Sequence, residues 1–363
     1  SIYFGIIIAN TYYQVIFAMQ MRNTIFKRDD VDLIITDHSK NADVVCENIK
    51  KCKYFNNCYY VKTGGSRDNR TKMQKILDIF LLSFAKKNRF EYYLRDISDK
   101  FFDEIMVFNY DMRTYGVFSI LSLYNHDIKV SRFEEGVLSY SVEILFTQTR
   151  TLIGKLRKII GKPVIEDSFL NFYCFYPQIY KGYLKPVEVP MIQLNSEICV
   201  ALRKVFELDD KKLSYKYKYI FFTSVYDFEG GKPVGEYELV CKIADIVGKD
   251  NLLIKTHPRD TRTLYVDNGF NVDENSSVPW EAIQLSGKFD DKVFMTINSG
   301  SVLSGSLMSK NKVKTFYMYK MCDYKGNESC QKNVIDIEAL LKNSNMKSIF
   351  NNVQVAEKIE DIL

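Results

Sequence analysis

The sequence predicts an α/β protein made of two successive domains, each a parallel sheet with helices on both faces. Three observations predict it. The 363 residues exceed what a single core commonly organises. Short, nearly continuous apolar runs alternate with longer amphipathic stretches, the pattern of strands buried on both sides and joined through helices. The alternation fades near the middle of the chain and then restarts, which separates two halves.

The first run, Tyr3–Ala9, reads as a buried opening strand; it is too short for a signal peptide and carries no basic leader. Helical spacing follows over Tyr13–Phe26, then a strand at Val31–Asp37, a helix at Asp43–Lys51 and a strand at Asn57–Lys62. A helix at Lys72–Lys86, a strand at Phe102–Asn109, a helix at Arg113–Tyr124 and a strand at Asp127–Phe133 complete the first half. From about Ser168 to Tyr215 aromatic residues and Pro177, Pro186 and Pro190 break the pattern. Apart from one short helix near Glu197–Leu208, that stretch reads as the connection between domains. Alternation resumes with strands at Tyr217–Ser224, Asn251–Thr256, Lys292–Ile297 and Lys314–Tyr319, and helices at Gly235–Val247, Pro279–Leu285 and Val302–Ser309. A last helix, Val353–Leu363, is placed to pack back across the joint. The expected divisions are 1–190 and 191–345 for two Rossmann-like domains, and 346–363 for the closing helix.

Composition narrows the function. Hydrophobic residues are 46% and aromatics 14%, enough for a large interior, and no segment is at once apolar-poor and charge-rich, which excludes a disordered chain. A net charge of +5 is too small to argue for nucleic acid, and no nucleic-acid signature accompanies it. An anionic substrate or membrane surface stays compatible. The eight cysteines form no C-x-x-C pair and no cluster with histidine, so no zinc site is expected; they read as free, mostly buried thiols of a reducing cytoplasm. No apolar run reaches the roughly 18 residues that span a bilayer. The one D-x-D, Asp30 to Asp32, begins a strand rather than following one, and reads as solvated rather than metal-binding.

Ligands of open α/β sheets collect at the carboxyl ends of strands, and four such ends carry chemistry. Arg132-Phe133-Glu134-Glu135-Gly136 closes a buried strand with adjacent carboxylates and a glycine that allows a sharp turn. Neighbouring carboxylates raise one another's pKa, which suits a general base; acids at a helix start also serve the helix dipole. Lys255-Thr256-His257-Pro258-Arg259 puts one of only three histidines between cations, where an imidazole can hydrogen-bond or protonate a phosphate. Asn298-Ser299-Gly300-Ser301 offers more donors than a serine cap needs, and so reads as an anion site at a helix start. Pro279-Trp280-Glu281 opens a helix, and Glu281 is within reach of ribose hydroxyls if that helix borders a nucleotide. One lysine, one histidine and a few hydroxyls match one phosphate better than two.

In order and spacing, these motifs resemble the bacterial sialyltransferases of GT-B architecture. The nearest likeness is to glycosyltransferase family 52, the lipooligosaccharide and capsule sialyltransferases, with the polysialyltransferases as more distant kin. Asn10-Thr11-Tyr12-Tyr13-Gln14 is similar to that family's T-P-Y-Q after the first strand, so the likeness runs from position 10 to 301. The resemblance implies two domains facing a central cleft and an inverting, metal-independent transfer of sialic acid from CMP-Neu5Ac to a terminal sugar, expected to be galactose, with no cofactor. It implies Glu134 as general base supported by Glu135, with Gln14 on the acceptor side. It further implies His257 at the CMP phosphate, Lys255 and Pro258 on the cytidine side, Glu281 on the ribose, and Ser301 on the phosphate. The acidic pair is Glu-Glu where the family carries Glu-Asp or Asp-Asp, and Ser299, Gly300 and Ser301 leave open which hydroxyl meets phosphate. A homodimer is compatible with the resemblance.

Thr149–Lys162 places Leu152, Ile153, Leu156, Ile159 and Ile160 on one helical face, flanked by Arg150, Lys155, Arg157, Lys158 and Lys162. Such a helix either lies on an anionic leaflet, useful for a lipid-linked acceptor at the inner membrane face, or packs on its own domain. Rival readings are a transferase using CMP-Kdo or CMP-pseudaminic acid, a teichoic-acid-type polyol-phosphate transferase, and a non-catalytic sugar-nucleotide-binding protein. The teichoic-acid class bases its chemistry on a histidine in the first domain, and none accompanies Glu134.

Overall fold

In the computed structural model, which describes residues 2–62, 71–84, 97, 100–109, 111–140 and 151–363, the chain divides into units Ser1–Pro190 and Met191–Leu363. The first unit holds β1 (Phe4–Ala9), β2 (Asp30–Thr36), β3 (Asn57–Val61), β4 (Glu104–Val107), β5 (Lys129–Phe133), β6 (Phe169–Cys174) and β7 (Lys185–Glu188). They form one parallel sheet in the order β3-β2-β1-β4-β5-β6-β7. β1 pairs with both β2 and β4, and its residues from Gly5 to Ala9 are buried whichever face they point to, which is why its Ile-Ile-Ile-Ala run is continuously apolar. Helices Tyr12–Asn23, Ala42–Cys52, Lys72–Ser83, Met112–Leu121 and Leu152–Ile159 supply the connections. Lys86, the expected end of the third helix, lies outside the described residues. β6 and β7 correct the reading of 168–190 as a connection: these residues complete the first sheet.

At the amino-terminal ends of these strands, Glu104 is buried and accepts hydrogen bonds from the hydroxyls of Tyr3, Ser131 and Tyr173. Burial raises its pKa to about 7 against the hydrogen bonds that favour the anion. The unfolded chain ionises this carboxyl near 4.5, so between those values the folded state binds more protons than the unfolded. Stability is therefore full below the lower value and declines as pH rises through the upper one. Thermal melts of the wild type are expected to shift downward from about pH 5 to about pH 8, and Glu104→Gln to flatten that slope; identical slopes would count against the assignment.

The second unit holds β8 (Tyr219–Phe222), β9 (Leu252–Lys255), β10 (Asn271–Val272), β11 (Val293–Thr296), β12 (Lys314–Tyr317) and β13 (Val353–Val355), parallel in the order β10-β9-β8-β11-β12-β13. Phe222 and Phe294 pack edge-on against Trp280, which also meets Phe289 and Tyr215, so the sole tryptophan is a core residue. Helix Ser301–Met308 lies close to helix Trp280–Ser286 at Gly305, where a Cβ would stand 2.2 Å from Gln284 Oε1. Gln284 is itself locked by Trp280 Nε1 and by Ser306 Oγ, at 3.1 and 3.3 Å. Gly305→Ala is thus expected to destabilise the chain by about 1–3 kcal/mol through overpacking, read by chemical denaturation.

Three expectations are corrected. Residues 353–363 do not form a helix across a joint: β13 pairs with the edge of β12, only a short 3-10 turn, Ile359–Ile362, follows, and 346–363 belong to the second unit. Asp32 is buried rather than solvated, accepting from Asn57, Tyr59 and Lys100. The 149–162 stretch is helical only over Leu152–Ile159, and Thr149 and Arg150 lie outside the described residues. Arg157 turns inward, donating to Pro163 O and Ser122 Oγ, while Ile159 is 81% exposed. Among the described residues no helix is long and apolar enough to cross a membrane.

Candidate active site

In the first unit, the chemistry gathers where β1 and β5 end. Thr11 caps helix Tyr12–Asn23 by accepting from Gln14 N, while its hydroxyl donates to Glu135 Oε1 at 2.6 Å. Gln14 receives Asn10 N–H on its oxygen at 2.7 Å and donates its amide to Glu135 Oε2 at 2.8 Å. Thr-x-x-Gln is the local signature of a helix start, and here the same two side chains also hold the carboxylate. Gln14 is buried, so it positions Glu135 instead of lining the acceptor side.

The two acids differ sharply. Glu134 is fully buried, accepting from Tyr13 Oη at 2.5 Å, from Tyr140 Oη and from Phe175 N–H at 3.0 Å. Burial lifts its pKa to about 7, opposed by those hydrogen bonds and by Arg132. Glu135 remains partly exposed. Gly136 makes the difference possible: its φ of +75° turns the chain into the 3-10 turn Val137–Tyr140, which carries Tyr140 back onto Glu134. Side chains other than glycine rarely adopt that φ. Ser139 Oγ accepts Glu135 N–H at 2.7 Å and fastens the turn. The structure thus leaves Glu135 partly exposed and buries Glu134, the residue that the resemblance implies as the base. His38, after β2, joins the same edge through Thr36, whose hydroxyl lies 2.8 Å from its Nδ1 and donates to Asn10.

In the second unit, β9, β8 and β11 present their carboxyl ends side by side. Thr223 after β8 accepts His257 N–H at 2.9 Å, and His257 Nδ1 accepts Arg259 N–H at 3.2 Å. An accepting Nδ1 leaves the neutral ring's proton on Nε2. Burial and then Arg259 lower the histidine's pKa against Glu229 and Asp260, favouring that neutral form. Ser299 and Ser301 place their hydroxyls 2.7 Å apart at the start of helix Ser301–Met308. Gly300 between them is exposed, and a methyl group at its Cα would meet nothing within 4 Å. Asn298 is structural, held by Tyr226 and Cys330.

Pro258 is exposed on the same loop, and Glu281 is half-buried in the first turn of its helix. Lys255 departs from expectation. It is buried, its ammonium 3.3 Å from Asp273 Oδ2 and over the Trp280 ring, so its charge is met in the interior rather than at a nucleotide. Tyr13, Tyr140, Thr11, Thr223 and Ser139 are site residues that the sequence reading passed over; only Thr11 and Tyr13 carried a signal, as members of the Asn10–Gln14 motif. Among the described residues no group of three or more His, Cys, Asp or Glu is placed to hold a metal ion.

Comparison with known proteins sets the chain in a family. The model of the alpha-2,8-polysialyltransferase (POLYST) family matches residues 5–318. The α/β-galactoside α-2,3-sialyltransferase of the luminous marine bacterium Photobacterium phosphoreum has a similar structure, with a TM-score of 0.50 at 12% identity over 99% of this chain and 100% of that one. A sialyltransferase from Photobacterium damsela gives a TM-score of 0.47 at 12% identity, over 98% of this chain and 82% of that one. No curated protein matches the sequence. The first of these bears out the expected α/β architecture of GT-B type. The likeness to bacterial sialyltransferases also holds, on the branch that the motifs alone rank behind family 52. With the family match running from within β1 to just past β12, this chain belongs to the alpha-2,8-polysialyltransferase family and is a sialic-acid-transferring glycosyltransferase.

Proposed function

We propose that the protein lengthens a surface glycan by transferring sialic acid from CMP-Neu5Ac, with inversion, to the hydroxyl of a terminal sialic acid. The family description favours that acceptor over the galactose expected from the motif resemblance. Glu135 is the general base. The observation that carries this is its partly exposed carboxylate, fixed by Thr11 and Gln14 at the end of the strand that buries Glu134. In the reaction the acceptor oxygen bonds to the anomeric carbon, its proton passes to Glu135, and the bond from that carbon to the CMP phosphate breaks.

His257, through Nε2–H, and the hydroxyls of Ser299 and Ser301 meet the charge that develops on the departing phosphate. Fixed donors at a developing oxyanion accelerate such steps strongly. A leaving monophosphate is served by these donors, so no step is routed through a metal. Pro258 borders the cytidine and Glu281 receives the ribose hydroxyls. The test is acceptor-dependent release of CMP from CMP-Neu5Ac with an oligosialic acceptor. Absence of release, or equal release from CMP-Kdo, would remove the donor assignment.

A further inference from the structure

Ser224, the second residue after β8, has no role in the scheme above. It is 6% exposed, and its Oγ is buried with no hydrogen-bond partner among the described residues. Such a hydroxyl lowers stability unless something satisfies it, and interiors keep few of them. Its backbone is pinned: the N–H donates to Glu236 Oε1 and Oε2 at 3.0 and 2.9 Å. Burial raises the Glu236 pKa to about 8, and the Ser224 hydroxyl lies near enough to pull it back, though outside hydrogen-bond geometry. Glu236 is buried at the start of helix Glu236–Val247, whose leading N–H groups are tied to Asp227.

The residues around Ser224 reach both walls of the site. Thr223 holds His257 N–H on one side. On the other, Tyr226 Oη donates to Asn298 Oδ1 at 2.9 Å, and Asn333 Nδ2 fixes that tyrosine at 2.6 Å. The loop after β8 is thereby bonded both to the imidazole loop and to the turn bearing Ser299 and Ser301. Strand order also reverses at β8, with β9 and β10 to one side and β11 to β13 to the other. Open α/β sheets bind ligands at that reversal. Ser224 follows the strand at that reversal, whose neighbours β9 and β11 lead into the imidazole loop and the serine pair.

We propose that Ser224 Oγ donates a hydrogen bond to a phosphate oxygen of the bound nucleotide, completing with His257, Ser299 and Ser301 a seat for one phosphate. This rests on the reading of the second unit as the side that holds the CMP-sugar. The same hydroxyl is then unsatisfied only in the ligand-free protein.

Calorimetric titration of the full chain with cytidine monophosphate, paired with thermal melts, tests it. Ser224→Ala is expected to bind CMP about tenfold more weakly, with a ligand-free Tm equal to or above that of the wild type. Ser286→Ala removes another buried hydroxyl without a partner, at the far end of helix Trp280–Ser286, and is expected to bind CMP as the wild type does. Equal CMP affinity in Ser224→Ala and wild type overturns the assignment and leaves the donor-site reading intact. So does a weaker Ser224→Ala whose Tm has fallen by several degrees, because the hydroxyl would then be a structural partner of Glu236, and so does an equal loss in Ser286→Ala. A wild type that fails to bind CMP removes the donor-site reading and this assignment with it.

Discussion

Replacing Glu135 with glutamine is expected to lower kcat by about 10²- to 10⁴-fold, the range that a positioned general base supplies, while leaving Tm near that of the wild type. Glutamine keeps an acceptor for Thr11 but cannot take the acceptor's proton, and the residue is only partly buried. Glu134 predicts the opposite profile. Its oxygens satisfy two phenols and a backbone N–H in the interior. Glu134→Leu leaves those donors unpaired at about 1–3 kcal/mol each, so the melt falls together with activity. Steady-state kinetics beside thermal denaturation of both variants decides the matter. A Glu135→Gln enzyme that turns over within a few-fold of wild type would return the base to Glu134.

His257→Ala is expected to cost about 10²- to 10³-fold in kcat, as loss of one fixed donor to a developing oxyanion does. The loop should survive the change, since Thr223 still holds residue 257 through its backbone N–H, although Arg259 N–H loses its acceptor on the ring. The sign of the pKa shift adds a second test. Burial and Arg259 hold this imidazole below the ordinary histidine range, so it stays neutral where a free histidine begins to charge. If the working form is the neutral ring donating from Nε2, kcat/KM does not rise as pH is lowered from about 7 to about 6. A rise over that interval in the wild type, absent in His257→Ala, would make the imidazolium the active form and the residue a general acid.

The sequence revealed those parts of the molecule whose signals are local. Apolar runs such as Tyr3–Ala9 and Lys292–Ile297 announce central strands because both of their faces are covered. The acid-acid-Gly, His-Pro and Ser-Gly-Ser motifs announce strand ends because each needs a turn and donors at one place. What escaped depends on partners distant in the chain. Val353–Leu363 has helical spacing, yet Val353–Val355 takes the open edge of β12, so pairing overrides the local pattern. The strand Phe169–Cys174 hid among aromatics and prolines, although it lies beside β5 in the sheet. Lys255 looked free for a phosphate because Asp273 is 18 residues away in sequence and meets it only through the parallel pairing of β9 with β10. The unequal fates of Glu134 and Glu135 rest on Tyr13, Tyr140 and Phe175 N–H, contributions that no adjacent-residue pattern encodes.

Thr11 and Gln14 give helix Tyr12–Asn23 its start and also hold the carboxylate of Glu135. Durability and turnover are therefore coupled at these two positions. A library randomised there and sorted first for heat tolerance, then separately for activity, should return overlapping winners. Engineers seeking a hardier catalyst will find no slack at this point.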